Sequence, residues 1–282
     1  MSVDYDLAQG ASRLSDASFS FPFRLVLGSR SPRRRGLLTD AGYRFAVLPA
    51  DDAVEEREPL DGLSPSELVD RLAFVKARDV VRRLRPLVEP QSSPNLPNSA
   101  DSSENAALRR EIDAIFGASN APFVVLSCDS VAVCDGEILG KPADRADAER
   151  MLRLLSGAEH EVRTGLCLWA TPGDRVLRRV EISRLWMAPL SEERLAAYLE
   201  SGLWEGKAGA FGYQDGNDWL RLTYGSESNI VGLPLAALAD SLRTLAAELA
   251  PPESALTFPA VKCLPLPDRY APITYMEKHD GI

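Results

Sequence analysis

Residues Phe23–Gly42 constrain the fold of this chain more than any other stretch. An apolar run, Phe23–Leu27, passes through the small-residue turn Gly28-Ser29-Arg30 into Ser31-Pro32-Arg33-Arg34-Arg35-Gly36-Leu37-Leu38. Ser31 is a good helix N-cap, Pro32 suits the first helical position, and Gly42 suits the position just past the end. The pattern predicts a strand, a tight turn and a helix over Pro32–Ala41. Arginines in a first turn oppose the helix dipole, which prefers carboxylates there. Backbone N–H groups, serine hydroxyls and guanidinium forks at one helix start suit a polyanion. A solvated basic turn fits the same spacing.

The acidic balance narrows the partner. A net charge of −9 over 282 residues implies no broad basic surface, which argues against nucleic acid and for a small anionic ligand at the Arg33–Arg35 spot. Hydrophobic content of 45% with 26% charged residues is that of a chain able to bury a sizeable core. Cys128, Cys134, Cys167 and Cys263 lack paired metal-ligand spacing, and there are only two histidines. Neither a zinc site nor a disulfide framework is expected, and the cysteine usage suits a reducing cytoplasm. No apolar run approaches the roughly 18 residues of a membrane span, so a soluble protein with no membrane partner is expected.

In chain order, residues 1–22 read as a flexible leader. A second strand is predicted over Tyr43–Leu48, followed by an acidic loop, Pro49–Glu56. Ser64-Pro65-Ser66-Glu67 is a capping box opening a helix to about Leu84. On it Val69, Ala73, Lys76 and Val80 share a face, so the lysine sits within an apolar stripe, where snorkelling is the ordinary reading and a site charge the other. Residues 86–122 read as an inserted surface excursion. Its Ser/Pro/Asn-rich start, Gln91–Asn105, is expected to be disordered, and a short helix follows over Ala106–Phe116. Phe123–Ser127 reads as a buried strand with Asp129 just beyond it, and Asp135-Gly136 as a hairpin turn.

Further on, helices are predicted over Arg145–Leu155, from Ser191 to Gly202, and over Pro234–Leu249. Strands are predicted over His160–Trp169 and Arg175–Met187, with a pair, Lys207–Gln214 and Trp219–Tyr224, turning at Asp215-Gly216-Asn217. Residues 251–282 form a tail without a clear period. Strands and helices mix without a strict βαβ rhythm, which indicates an α/β fold with a mixed sheet.

The chemistry concentrates in Ser29/Arg33/Arg34, Asp52/Glu55/Glu56, Lys76, and Asp129 with Lys141. Cations in this number suit a triphosphate, and carboxylates at loop or strand ends suit a divalent metal, which is bound by one or two carboxylates plus phosphate oxygens. Asp129 reads as a fixed ligand or base, or equally as a turn aspartate capping a strand. Gly202–Ala208 has the wrong spacing for a P-loop, no dinucleotide fingerprint follows a strand, and His160 lies in a strand-like run that suits a structural role.

Taken together, Leu27-Gly28-Ser29-Arg30-Ser31-Pro32-Arg33-Arg34, Cys128-Asp129-Ser130-Val131, Gly140-Lys141-Pro142, Leu155-Ser156-Gly157, His160–Gly165, Lys207–Gln214 and Val231-Gly232-Leu233-Pro234 form an ordered series. The series resembles the Maf family of nucleoside triphosphate pyrophosphatases, relatives of the inosine triphosphate pyrophosphatases. The resemblance implies an elongated mixed sheet with flanking helices, with two lobes around a central cleft. It places the family domain at 23–250 with the insertion 86–122. It also implies hydrolysis between the α- and β-phosphates with Mg²⁺ or Mn²⁺. By motif, Ser29, Arg33 and Arg34 would hold phosphate, Lys76 and Lys141 would add charge, and Asp129 would activate water or share the metal.

The acidic loop departs from the family's usual Asp-x-Asp-Glu. Glu55 is taken as the metal-binding glutamate, with Glu56 and Asp52 in reserve. Ser130 stands where the family's usual Asp-Thr has threonine. Arg33, Ser130 and Gln214 indicate the branch acting on dTTP and UTP. The alternatives are the 7-methyl-GTP branch, which resembles Ser-Pro-Trp at the helix start, and a non-catalytic nucleotide-binding regulator of cell division. A homodimer stays open.

Overall fold

The computed structural model describes residues 21–88 and 103–249. Most of the expected leader, the segment 89–102 and the tail 251–282 lie outside the described residues. Phe21, at the leader's end, stacks on Phe23 with ring centroids 4.8 Å apart and on Tyr43 at 6.3 Å.

Among the described residues, seven strands are β1 (Arg24–Leu27), β2 (Phe45–Val47), β3 (Phe123–Cys134), β4 (Glu137–Leu139), β5 (Glu159–Thr171), β6 (Arg175–Met187) and β7 (Leu220–Tyr224). They form one mixed sheet ordered β2-β1-β3-β5-β6-β7, with β4 paired on β3. β1 lies parallel to both β2 and β3, whereas β3–β4 and β6–β7 are antiparallel. The helices are α1 (Pro32–Asp40), α2 (Ala53–Glu56), α3 (Pro65–Leu84), α4 (Ser103–Phe116), α5 (Arg145–Leu155), α6 (Glu192–Glu200), α7 (Glu227–Val231) and α8 (Leu235–Leu249). The α/β class and the mixed sheet are as the sequence indicates. None of the described helices is long and apolar enough to cross a membrane.

The chain divides into two compact units. The first unit is cored by Val26, Ala46, Ala73, Ala77, Val80, Leu84, Phe123, Val125 and Cys167. Its long helix α3 starts at a complete capping box between Ser64 and Glu67. On β5, a Cβ at Gly165 would fall 2.2 Å from the Val69 carbonyl oxygen, so only glycine lets α3 approach so closely. Helix α4 lies within the stretch read as a surface excursion, yet Ile112 is 2% exposed. Leu108, Ile115 and Phe116 pack against the same core. The second unit is cored by Leu139, Met151, Leu152, Leu155, Leu185, Met187, Leu199, Phe211 and Trp219.

Three local expectations are corrected. Residues Phe123–Cys134 form a single strand of 12 residues, so Asp129 and Ser130 lie inside β3 as its two half-buried positions, not beyond a strand end. The turn Asp135-Gly136 forms as expected, with φ of 49° and 80° as a two-residue hairpin requires. The acidic loop contains the short helix α2. Finally, Lys207–Gln214 is not a strand: it folds into 3₁₀ turns at Ala208–Ala210 and Tyr213–Asp215, and β7 pairs with β6 instead. Gly209 and Ala210 both have positive φ, 71° and 59°, which no extended strand accommodates.

Candidate active site

The site grows from the end of β1. Gly28 donates its N–H to the Leu126 carbonyl at 2.8 Å. A Cβ there would meet Ser127 Oγ at 2.3 Å, so the missing side chain lets the turn lie directly against β3. Ser31 caps α1 by accepting the Arg34 N–H at 3.4 Å, and the Ser29 hydroxyl accepts from Ser31 N at 3.2 Å. Arg34 Nη1 donates to the same Ser29 hydroxyl at 3.2 Å, and Arg34 Nε to the Gly232 carbonyl at 2.7 Å. Two of the motifs, Ser29–Arg34 and Gly232-Leu233-Pro234, therefore meet through one guanidinium. Arg33, in the same helical turn, is half-buried.

Helix α3 supplies the centre. Lys76 Nζ contacts Asp129 Oδ1 at 2.6 Å and Glu55 Oε1 at 2.9 Å. The lysine and aspartate side chains are only 13% and 15% exposed. The ammonium at an apolar helix position is thus held by two carboxylates, and snorkelling to water does not describe it. Of the reserve residues, Asp52 pairs with Arg30 at the surface, and Glu56 is exposed. Burial pushes the Cys128 thiol up to about 11, against the pull of nearby Arg34 and with Asp129 and Lys76 also in range. Cys167 is pushed up to about 12 by burial. These thiols stay protonated at neutral pH and serve as packing, not as nucleophiles.

Residues outside the sequence motifs hold the acidic loop. Asp79, 5% exposed and one turn beyond Lys76, accepts the Asp51 N–H at 3.1 Å. Asp51 Oδ1 in turn accepts the Ala53 N–H at 3.0 Å, starting α2 and with it the position of Glu55. Arg71 and Arg78 of α3 both bind Glu58, and Arg83 donates to the Pro49 carbonyl at 2.7 Å. Arg71, Arg78, Asp79 and Arg83 stand at i, i+7, i+8 and i+12 on α3, a spacing that resembles an ordinary solvated face.

In the second unit, Lys141 is exposed, Ser130 is half-buried next to Asp129 in sequence, and Gln214 is half-buried in the Tyr213–Asp215 turn. The Gly209 N–H donates to the Gly140 carbonyl at 3.0 Å, joining the segment before Lys141 to the segment before Gln214. His160 is 2% exposed and meets Phe211 edge-on at 5.1 Å. Burial lowers it to about 4, so it is neutral near pH 7 and structural, as its strand position indicates.

The family described as Maf-like protein matches residues 24–245. The chain belongs to the Maf family. A protein of Rhodopirellula baltica named dTTP/UTP pyrophosphatase is 43% identical over 226 residues, covering 78% of this chain and 82% of the relative. Proteins of the same name from Geobacter metallireducens and Acetivibrio thermocellus are 36% and 35% identical, over 79% and 78% of this chain and 97% and 94% of theirs. Every site residue named above lies inside the Maf match.

The donor set of this Maf chain can be weighed against a divalent cation. Glu55 and Asp129 converge on one ammonium, so two hard oxygen donors already flank a cationic position. Among the described residues no group of three or more His, Cys, Asp or Glu could enclose a metal. Two carboxylates with the remaining positions left to phosphate oxygens and water is the usual protein share for Mg²⁺, so the residues fit.

Proposed function

We propose that this chain is a nucleoside triphosphate pyrophosphatase that hydrolyses dTTP and UTP to the monophosphate and pyrophosphate. The observation that carries the reading is the Glu55–Lys76–Asp129 contact beside the Ser29–Arg34 helix start. The names of its Maf relatives support it. Water attacks the α-phosphorus, the bond from that phosphorus to the bridging oxygen breaks, and pyrophosphate leaves with the electron pair. Asp129 takes the proton of the attacking water. Ser29, Arg33, Arg34 and Lys141 hold phosphate oxygens, and Lys76 keeps the two carboxylates together as their counter-charge. Phosphoryl transfer of this kind asks the protein mostly for positioning and charge stabilisation. Mg²⁺ or Mn²⁺, held by Glu55 and Asp129, would supply Lewis-acid stabilisation of the phosphate oxygens.

For the base, Arg33 in place of an aromatic removes a stacking platform for a methylated purine. The Gln214 amide offers a donor and an acceptor, matching the adjacent C=O and N–H of uracil and thymine. Ser130 adds a small hydroxyl. CTP is disfavoured because its amino group reverses the pattern at that edge. Pyrophosphate release from UTP, dTTP, CTP, GTP and 7-methyl-GTP tests the reading. Preference for UTP and dTTP supports it; preference for 7-methyl-GTP, or binding without turnover, overturns it.

A further inference from the structure

A buried polar cluster around Asp215 takes no part in the reaction as proposed. Lys207 Nζ lies 2.5 Å from Asp215 Oδ2, with the two side chains 11% and 7% exposed. The Tyr198 hydroxyl donates to the same carboxylate oxygen at 3.0 Å and accepts the Gly212 N–H at 3.2 Å. Burial and the Asp215 charge both push the Tyr198 hydroxyl up, so it stays a donor. The Asp215 N–H and the Asn217 amide each donate to the Gly212 carbonyl at 3.2 Å. A Cβ on Gly212 would fall 2.3 Å from Asp215 Oδ2, so the carboxylate folds directly over the glycine. On the other side, Tyr213 donates its hydroxyl to Glu227 at 3.1 Å. Gln214 thus stands half-buried between two residues that are each tied down.

A buried ion pair is a weak source of stability, since well-packed apolar residues do as well, but it can hold a segment in one arrangement. A hydrogen-bonding amide discriminates only if it cannot swing to suit the wrong partner, which makes a rigid support valuable here. We propose that Asp215, gripped by Lys207 and Tyr198, is a positioning residue for base selection that presents the Gln214 amide to the pyrimidine edge in one orientation. This rests on the reading of Gln214 as the base contact.

The test measures kcat and KM for UTP and CTP with the wild type, Gln214→Ala, Asp215→Asn and Tyr198→Phe. Inhibition by inorganic tripolyphosphate, which has no base, is measured in parallel. Asp215→Asn and Tyr198→Phe are each expected to lower the UTP-to-CTP ratio of kcat/KM at least about fivefold, chiefly through KM for UTP, with tripolyphosphate inhibition within about twofold of wild type. Asp215→Asn leaves Lys207 without its carboxylate. If it fails to fold, Tyr198→Phe decides alone, because it keeps the ion pair and the ring packed against Trp219. If Gln214→Ala lowers the ratio but Tyr198→Phe and any folded Asp215→Asn do not, the positioning role is overturned while Gln214 keeps its own. An unchanged ratio in Gln214→Ala, or no UTP preference in the wild type, overturns both. Equal loss of base selection and tripolyphosphate inhibition shows general loosening and overturns the positioning role.

Discussion

At the scale of single residues, Lys76 shows how a contact changes a meaning. On helix spacing it is an ammonium within an apolar stripe. In the structure it touches Asp129 and Glu55 at 2.6 and 2.9 Å, residues distant from it in sequence. Asp129→Asn keeps the shape but can neither take a proton nor match a carboxylate as a metal ligand. Its expected loss of pyrophosphate release is about 10²–10⁴-fold, measured on protein that circular dichroism shows to be folded. Retention of more than about half the activity would refute the role of Asp129 as base. His160 sets an acid limit of a different kind. Its ordinary value of 6.5 falls to about 4 in the fold, so between these values the unfolded chain binds the extra proton. Stability is then complete above about pH 6.5 and falls as the pH drops towards 4, by roughly 3 kcal/mol over the window. His160→Gln should flatten this part of a plot of Tm against pH, and an unchanged slope would show that other groups set it.

At the scale of elements, α3 acts as a rail to which the acidic loop is fastened. Asp79 is the deepest fastening. Asp79→Ala leaves the Asp51 N–H without its acceptor, and the expected loss of stability is about 1–3 kcal/mol by urea unfolding. Glu55 depends on the same loop, so half-maximal activity should require more Mg²⁺ in this variant; an unchanged Mg²⁺ requirement would show that α2 is held without Asp79. Helix α4 makes the second case. Its Ser/Pro/Asn-rich approach suggests a solvent-exposed excursion, but Ile112 is buried in the first unit's core. Ile112→Ala should cost about 2–5 kcal/mol, a loss that melting or denaturant curves resolve readily. A shift below about 0.5 kcal/mol would mean that α4 contributes no packing.

At the scale of the whole molecule, the proposal makes activity conditional on a divalent cation and on the base together. Chelation by EDTA should abolish pyrophosphate release, and added Mg²⁺ or Mn²⁺ should restore it; full activity in EDTA would remove Glu55 and Asp129 from metal binding. Under the restored condition, UTP and dTTP should exceed CTP in kcat/KM by at least about tenfold. The family and its fold class were legible from the ordered motifs because each is a local arrangement. A cap, a proline, a glycine and a hairpin dipeptide act within a few residues of themselves. The turn Asp135-Gly136 and the Ser64–Glu67 box formed as read for that reason.

What the sequence by itself determined was therefore the strand–turn–helix start, the capped helices, the α/β class and the residue types offered to a triphosphate. Tertiary structure alone decided which of them touch. It set Asp129 inside β3 rather than after it, chose Glu55 over Asp52 as the partner of Lys76, and tied Arg34 to Gly232. It also folded Lys207–Gln214 into turns around a buried ion pair where the Asp215-Gly216-Asn217 turn suggested one strand of a pair. The reason is physical. Propensity and capping are energies of neighbouring residues, whereas burial and charge pairing depend on groups brought close only when the sheet assembles.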